Sequence, residues 1–261
     1  MNPSTSPSPS NEATRVARER PECLPPPTLL AWLEAHTRPL RPTRLVPRAF
    51  FVARSGVLTL AFTGFPASLL RLKKELEGAF PHLAPEAPGS RWPKVTLASR
   101  TPDRLLTRPD IDTLLHLVRA WTPRLADLPA LPVDALTVVS YGCRSLEERL
   151  AEYRLPLEGG PPDPTDEPPP EHRAYVEHVL AQLTPEHLER YAPALLGGTH
   201  DAYHYRRPHP GSTLVYDLPT GSLPVLDAFL DAIEDALPGR YVRFTPESRH
   251  VTLRRLTPFR T

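Results

Sequence analysis

Cysteine, lysine, net charge and long apolar runs are all scarce in this chain, and each scarcity argues against a class of function. The two cysteines, Cys23 and Cys143, lie far apart and outside any CxxC pair, which argues against a disulfide framework and a structural zinc site. They read as free thiols of a reducing compartment. With 31 basic and 30 acidic residues the net charge is +1, so no global field draws the chain to nucleic acid, and an anionic ligand has to be held locally. No apolar run approaches the roughly 20 residues that span a bilayer, and Met1 to Asn11 carries no hydrophobic stretch of the signal-peptide kind. The expectation is a soluble cytoplasmic protein without a membrane partner.

What is abundant is proline, at 36 of 261 residues, and arginine, since Lys73, Lys74 and Lys94 are the only lysines. A hydrophobic content of 40% suffices for one large domain or two small lobes. Residues 1–27, rich in Ser, Pro, Glu and Arg, read as a disordered tail. A short helix is predicted over Thr28 to Ala35, an extended connector over Arg38 to Pro47, and a hairpin over Ala49 to Phe62 turning at Ser55-Gly56. Leu69, Leu72, Leu76 and Phe80 space out a helix from Pro66 to Phe80, with Lys73, Lys74 and Glu77 on its wet side. A strand over Trp92 to Ser99, a helix over Pro109 to Trp121 and a strand over Val133 to Tyr141 complete a first lobe, 28–142. In the second lobe, 143–261, a short helix is expected over Ser145 to Tyr153, with Glu147 and Glu148 on its solvated face. A Pro/Gly-rich linker then spans 157–170. Helices follow over Glu171 to Leu183 and from Thr184 onward. Strand, helix, short strand and strand close the chain at Thr213 to Leu218, Ser222 to Leu237, Tyr241 to Phe244 and His250 to Leu256.

This last series repeats the first. Leu58 to Thr96 and Leu214 to Thr252 have the same length, and Leu58, Leu70, Val95, Thr96 and Leu97 match Leu214, Leu226, Val251, Thr252 and Leu253 at one constant offset. An internal repeat of strand, helix, loop and strand implies an α+β fold of two pseudo-symmetric lobes, each with an antiparallel-rich sheet and packed helices, around a central cleft. Within the repeat, Lys94-Val95-Thr96-Leu97 aligns with His250-Val251-Thr252-Leu253. In a strand, residues two apart leave the same face, so each copy offers a polar head and a hydroxyl together. A lone His-x-Thr carries almost no information, because about one such triplet is expected from composition. The second copy is what gives it weight.

In these motifs the chain resembles the two-histidine phosphoesterase superfamily, which includes 2'-5' RNA ligase-like proteins and cyclic nucleotide phosphodiesterases, over roughly Ala49 to Leu256. The resemblance implies two lobes that each contribute a His-x-Thr/Ser motif to one groove, with one histidine as general base and the other as general acid. It implies threonine hydroxyls on non-bridging phosphate oxygens, and neither metal nor other cofactor. Carried over, His250 takes an acid or base role, and Thr96 and Thr252 bind phosphate. Lys94 stands where the first histidine belongs. An ordinary lysine, with a pKa of about 10.4, is a poor base at neutral pH, but it can neutralise a phosphate oxygen, or donate a proton if burial or a cationic neighbour lowers its pKa.

A second constellation, His200, His204, Tyr205, Arg206, Arg207 and His209, precedes Thr213. One reading brings His204, Tyr205, Arg206 and His209 to the cleft rim as substrate contacts, with Tyr203 or Tyr205 stacking on a base. Another is an edge strand with a solvated face, and a metal site is disfavoured because the histidines lack regular ligand spacing. His116, His178 and His187 read as ordinary helix histidines, and Trp92 as core. The sequence thus points to a phosphoesterase-like protein acting at a phosphodiester of a nucleotide or RNA end, such as a cyclic phosphate or a 2'-5' linkage. The alternative is a non-catalytic binding module for the same ligands. No obligate protein partner is expected in either case.

Overall fold

The computed structural model describes residues 25–257; Cys23 and nearly all of the tail expected over 1–27 lie outside them. The first half runs α1 (Pro27–Thr37), β1 (Thr43–Leu45), β2 (Pro47–Val52), β3 (Leu58–Phe62), α2 (Ala67–Ala79), β4 (Lys94–Arg100) and α3 (Arg108–Trp121). Next come β5 (Leu131–Val133), β6 (Ala135–Cys143), β7 (Arg149–Pro156), α4 (Pro170–Leu180), α5 (Leu188–Gly197) and α6 (Ala202–Arg206). The chain ends with β8 (Pro208–Asp217), α7 (Pro224–Ala236), β9 (Tyr241–Arg243) and β10 (His250–Arg255). Among the described residues no helix is long and apolar enough to cross a membrane.

The fold is α+β. One antiparallel sheet of eight strands runs β2-β3-β4-β10-β8-β6-β7, with β9 pairing to the far end of β4, while β1 and β5 form a separate ribbon. The two strand–helix–strand units, β3-α2-β4 and β8-α7-β10, meet where β4 lies beside β10, with Val95 opposite Val251. The halves therefore share a sheet instead of each closing its own. Behind this sheet lies one large core: Phe50 of β2 stacks on Phe229 of α7 with ring centroids 3.9 Å apart, and Trp121 of α3 meets Phe229 edge-on at 6.0 Å. The helix α3 is well delimited, because Thr107 accepts from the Asp110 N–H and Asp110 accepts from the Thr107 N–H, a reciprocal cap.

Two expectations need correction. Ser145 to Tyr153 is not a helix: a turn leads into β7, which pairs with most of β6, from Ala135–Pro156 to Tyr141–Arg149. Leu-Glu-Glu-Arg is good helix sequence, but Ala151 and Leu155 alternate inward from an edge strand, and cross-strand packing outweighs local preference. Glu148 accordingly lies against Gly142, where a Cβ would come 2.4 Å from its carboxyl group. Further, β6 does not close the first half. It lies between β8 and β7, so the boundary expected near residue 142 falls inside a strand.

The 157–170 stretch has no regular structure before Pro170, yet it is stitched to the first half. Glu158, Gly159 and Asp163 donate backbone N–H groups to the carbonyls of Arg38, Leu40 and Pro42. Asp166 accepts from the Ser68 N–H at 3.0 Å and the Ser68 hydroxyl at 2.5 Å, satisfying an orphan donor in the first turn of α2. Gly159 is required for the close approach, since a Cβ there would fall 2.0 Å from the Pro39 carbonyl oxygen.

The same substitution should therefore act with opposite sign at two glycines. Gly159→Ala should destabilise by about 1–3 kcal/mol through forced backbone displacement. Gly78→Ala, in α2 with no atom within 4 Å of the new Cβ, should stabilise by up to about 1 kcal/mol. Urea unfolding of the two variants beside wild type measures both.

Candidate functional site

The site is built on the β4–β10 pairing. Val95 and Val251 are fully buried and point into the core, so their neighbours on either side emerge on the opposite face. Antiparallel register brings Thr96 alongside His250 and Lys94 alongside Thr252. All four are partly accessible and line one cleft of about 1050 Å³. Thr59 of β3 and Thr213 of β8 extend this polar floor to each side.

His250 donates Nδ1–H to the Ser248 carbonyl at 2.6 Å. A carbonyl oxygen only accepts, so this bond fixes the tautomer and leaves Nε2 as the lone-pair nitrogen. Burial holds the imidazole pKa below its ordinary value, and the nearby Arg149 pushes it the same way; the Ser248 bond and Asp217 push back. Asp217 is itself held by Arg149 at 2.7 Å. The ring is thus neutral at pH 7, with a nitrogen able to take up a proton.

Lys94 sits in the opposite protonation state. Its ammonium donates to the Gly89 carbonyl and lies 4.4 Å from the centre of the Trp92 ring. Burial lowers its pKa to about 8; Lys73 repels it further and Glu86 partly opposes both. It stays mostly cationic at pH 7, yet releases a proton far more readily than an ordinary lysine.

Lys73 is the functional neighbour that the wet-side expectation missed. It is buried, forms an ion pair with Glu86 at 2.7 Å, donates to the Ser90 carbonyl at 2.9 Å and lies 4.3 Å from the centre of the Phe65 ring. Its position was readable: Lys73 falls four residues after Leu69 and three before Leu76, on the apolar stripe itself. A second overlooked signal is the tetrapeptide Pro-x-Ser-Arg, present as Pro88-Gly89-Ser90-Arg91 and again as Pro246-Glu247-Ser248-Arg249. Each copy forms a short 3-10 turn just ahead of a motif strand. Trp92-Pro93 lengthens the first connection by two residues, which hid the match at a constant offset.

Of the expected rim residues, His204, Tyr205 and His209 line the cleft, and so does His200. His200 stacks on His204 at 3.9 Å, with Tyr205 edge-on to His204 at 5.2 Å. Contrary to an edge strand, this segment holds the short helix α6, capped by Asp201 accepting from the His204 N–H. Burial, His200, Arg144 and Arg207 together drive the His204 pKa down to about 4, with Asp201 opposing. Arg206 is not among the cleft-lining residues: it grips Glu147 with two bonds of 2.7 and 2.8 Å and donates to the Arg243 carbonyl at 3.0 Å. The solvated face expected for Glu147 is thus an anchored carboxylate. Tyr203 is 65% exposed and points elsewhere. Among the described residues no three His, Cys, Asp or Glu side chains converge in a metal-holding group. Trp92 is 5% exposed and belongs to the core, although it also borders the cleft. His116, His178 and His187 are exposed.

The cleft's charge is one-sided. Among the described residues Arg54, Lys94, Arg144, Arg254 and Arg255 line it, whereas Glu86 is the one carboxylate doing so, and Glu86 is taken by Lys73. A chain of net charge +1 has concentrated positive charge where its polar floor lies. Comparison with protein-family models, curated proteins and solved structures gives no match to this chain. The geometry itself describes a neutral base, a readily deprotonated ammonium and two hydroxyls within a cationic basin, a set suited to an anion that undergoes proton transfer.

Two titrations check these electrostatics. His172, His200, His204, His209 and His250 all have depressed pKa values with burial as the main cause. The unfolded chain therefore binds more protons just below about pH 6.5, and stability present above that pH is lost as the pH falls. The urea midpoint should drop between pH 6.5 and 4, and His204→Gln should flatten that slope. For Lys94, removing a repelling cation in Lys73→Gln should raise its pKa above about 8, while Glu86→Gln should lower it. NMR of the lysine side chains reads both directions.

Proposed function

We propose that this protein is a metal-independent phosphoesterase of the two-histidine kind, with Lys94 in place of the first histidine, acting on the cyclic phosphate or 2'-5' linkage of a nucleotide or RNA end. In this reading the halves correspond to two pseudo-symmetric lobes joined through β4 and β10. The observation that carries it is the Val95–Val251 register, which gathers Lys94, Thr96, His250 and Thr252 on one face of neighbouring strands inside a cationic cleft.

The chemistry follows from the two protonation states. His250 Nε2 takes the proton from an attacking water as its oxygen bonds to phosphorus. The Lys94 ammonium gives its proton to the ribose oxygen as the P–O bond to that oxygen breaks. The two threonine hydroxyls donate to non-bridging oxygens, where charge accumulates in the transition state. Exchange with solvent then restores a neutral imidazole and a protonated amine. Groups whose surroundings separate their pKa values in this way are suited to acid and base roles.

A second reading is a binding module that holds the same phosphate without turnover. It is favoured by the tethering of Lys94 to the Gly89 carbonyl and the Trp92 face, which holds the ammonium back as an electrostatic anchor.

Hydrolysis of 2',3'-cyclic nucleotides and 2'-5'-linked dinucleotides separates the two. His250→Ala should reduce the rate by about 10²–10⁴-fold, and equal rates in variant and wild type would sink the assignment. The pH profile of wild type should be a bell, rising on its acid side below about pH 6.5 as His250 loses its proton. It should fall around pH 8 as Lys94 does. Micromolar binding without turnover on both substrates would select the binding module.

A further inference from the structure

The end of the cleft away from Lys94 holds groups for which the proposed chemistry has no use. Arg144 follows β6 in the turn to β7 and lines the cleft beside Tyr141, His209 and Arg255. Its Nη1 is buried from water and makes no hydrogen bond within the described structure. Buried guanidinium donors are ordinarily satisfied, and the Arg144 side chain is itself partly exposed along the cleft wall, so an acceptor placed there meets the guanidinium and takes up its unpartnered donor after a small rotation. Arg207 and Arg255 are close enough to repel it, and burial reinforces their effect. Facing this cluster are His200, His204 and His209, all disfavoured as cations; Asp201 is the carboxylate that bears on the first two.

The backbone that presents Arg144 is held in place. Ser145 donates its N–H to the Tyr205 carbonyl of α6 at 3.1 Å, and Leu146 donates to the Cys143 carbonyl at 3.2 Å. Leu146 is buried at φ 57°, a left-handed conformation that a bulky side chain adopts only where the surroundings enforce it. A turn fixed in this way holds the Arg144 backbone at the cleft wall, and like charges held together gain from any anion that joins them.

We infer that the Arg144 end of the cleft is a second anion subsite, so that the preferred ligand carries a second phosphoryl group beyond the one at Lys94 and His250. The inference rests on the phosphoester reading of that centre. Arg255 lies five positions after His250 on β10, about 17 Å between backbone positions at full extension, a span that the length of an arginine side chain can shorten. A terminal phosphate on a mononucleotide and the next bridging phosphate of an RNA end offer the same chemistry.

Binding by isothermal titration calorimetry to a nucleoside 2',3'-cyclic phosphate, its 5'-phosphorylated form and a dinucleotide ending in the same cyclic phosphate tests this. Wild type should bind one or both of the latter at least about tenfold more tightly than the bare cyclic nucleotide, the gain of one charge-assisted contact. Gain with the 5'-phosphate identifies a terminal group, and gain with the dinucleotide alone identifies a backbone phosphate. In Arg144→Gln the affinity ratio should fall close to one, with Arg144→Lys retaining part of it. Equal wild-type affinity for all three ligands overturns the subsite while leaving the phosphoester centre standing. If the bare cyclic nucleotide fails to bind and a second phosphate rescues binding through Arg144, the subsite stands and the centre's role does not. Absence of binding to all three removes both.

Discussion

One backbone pairing, β4 against β10, is the constraint from which the rest follows. It joins two strand–helix–strand units that are distant in sequence, and it does so with Val95 opposite Val251. Because side chains alternate strictly along a strand, this register simultaneously buries the two valines and exposes all four polar groups. A one-residue slip of either strand would turn its own pair, Lys94 and Thr96 or His250 and Thr252, against the core and its valine outward, so hydrophobic packing and the chemistry of the floor favour the same alignment. The site needs no separate device to assemble it.

Around that floor the charges are arranged by burial. The net charge is nearly zero, yet the cleft wall contains arginines with little acidic compensation, since the carboxylates elsewhere are occupied as struts: Glu147 by Arg206, Asp217 by Arg149, Asp227 by Arg249. Lys73 and Glu86 form a buried pair beside Lys94. Such a pair contributes little net stability once desolvation is counted; its consequence here is positional, since Lys73 also holds the Ser90 carbonyl and so the loop that carries Gly89 to Lys94.

Much of this was legible in the sequence, and what was not has identifiable causes. The helices α2, α3 and α7 came from periodicity, because each buries one continuous stripe; the hairpin at Gly56 came from its β-rich runs and turn residues, and the strands β4 and β10 from the repeated motif. Lys94, Thr96, His250 and Thr252, which the motif repeat sets side by side, lie on one face of β4 and β10. Strand β7 was misread because its partner β6 is what makes Arg149 to Pro156 extended, and pairing is not written in a local window. Lys73 was placed in solvent by residue type, although its spacing from Leu69 and Leu76 put it inside. Arg206 was grouped with its histidine neighbours, but one turn of helix sends successive side chains in different directions, and Glu147 claimed this one. That the halves share one sheet depends on long-range pairing that a repeat alone does not specify.

The two Pro-x-Ser-Arg turns differ in the side chain that each one's carbonyls meet. In the second half the turn directly abuts the strand, and the Ser248 carbonyl reaches the imidazole of His250. In the first half Trp92-Pro93 pushes the turn back; the Ser90 carbonyl goes to Lys73, and the Gly89 carbonyl is met by the longer arm of Lys94. The dipeptide and the lysine are therefore matched: the longer connection sets its carbonyl where the arm of Lys94 meets it, as the shorter one does for His250.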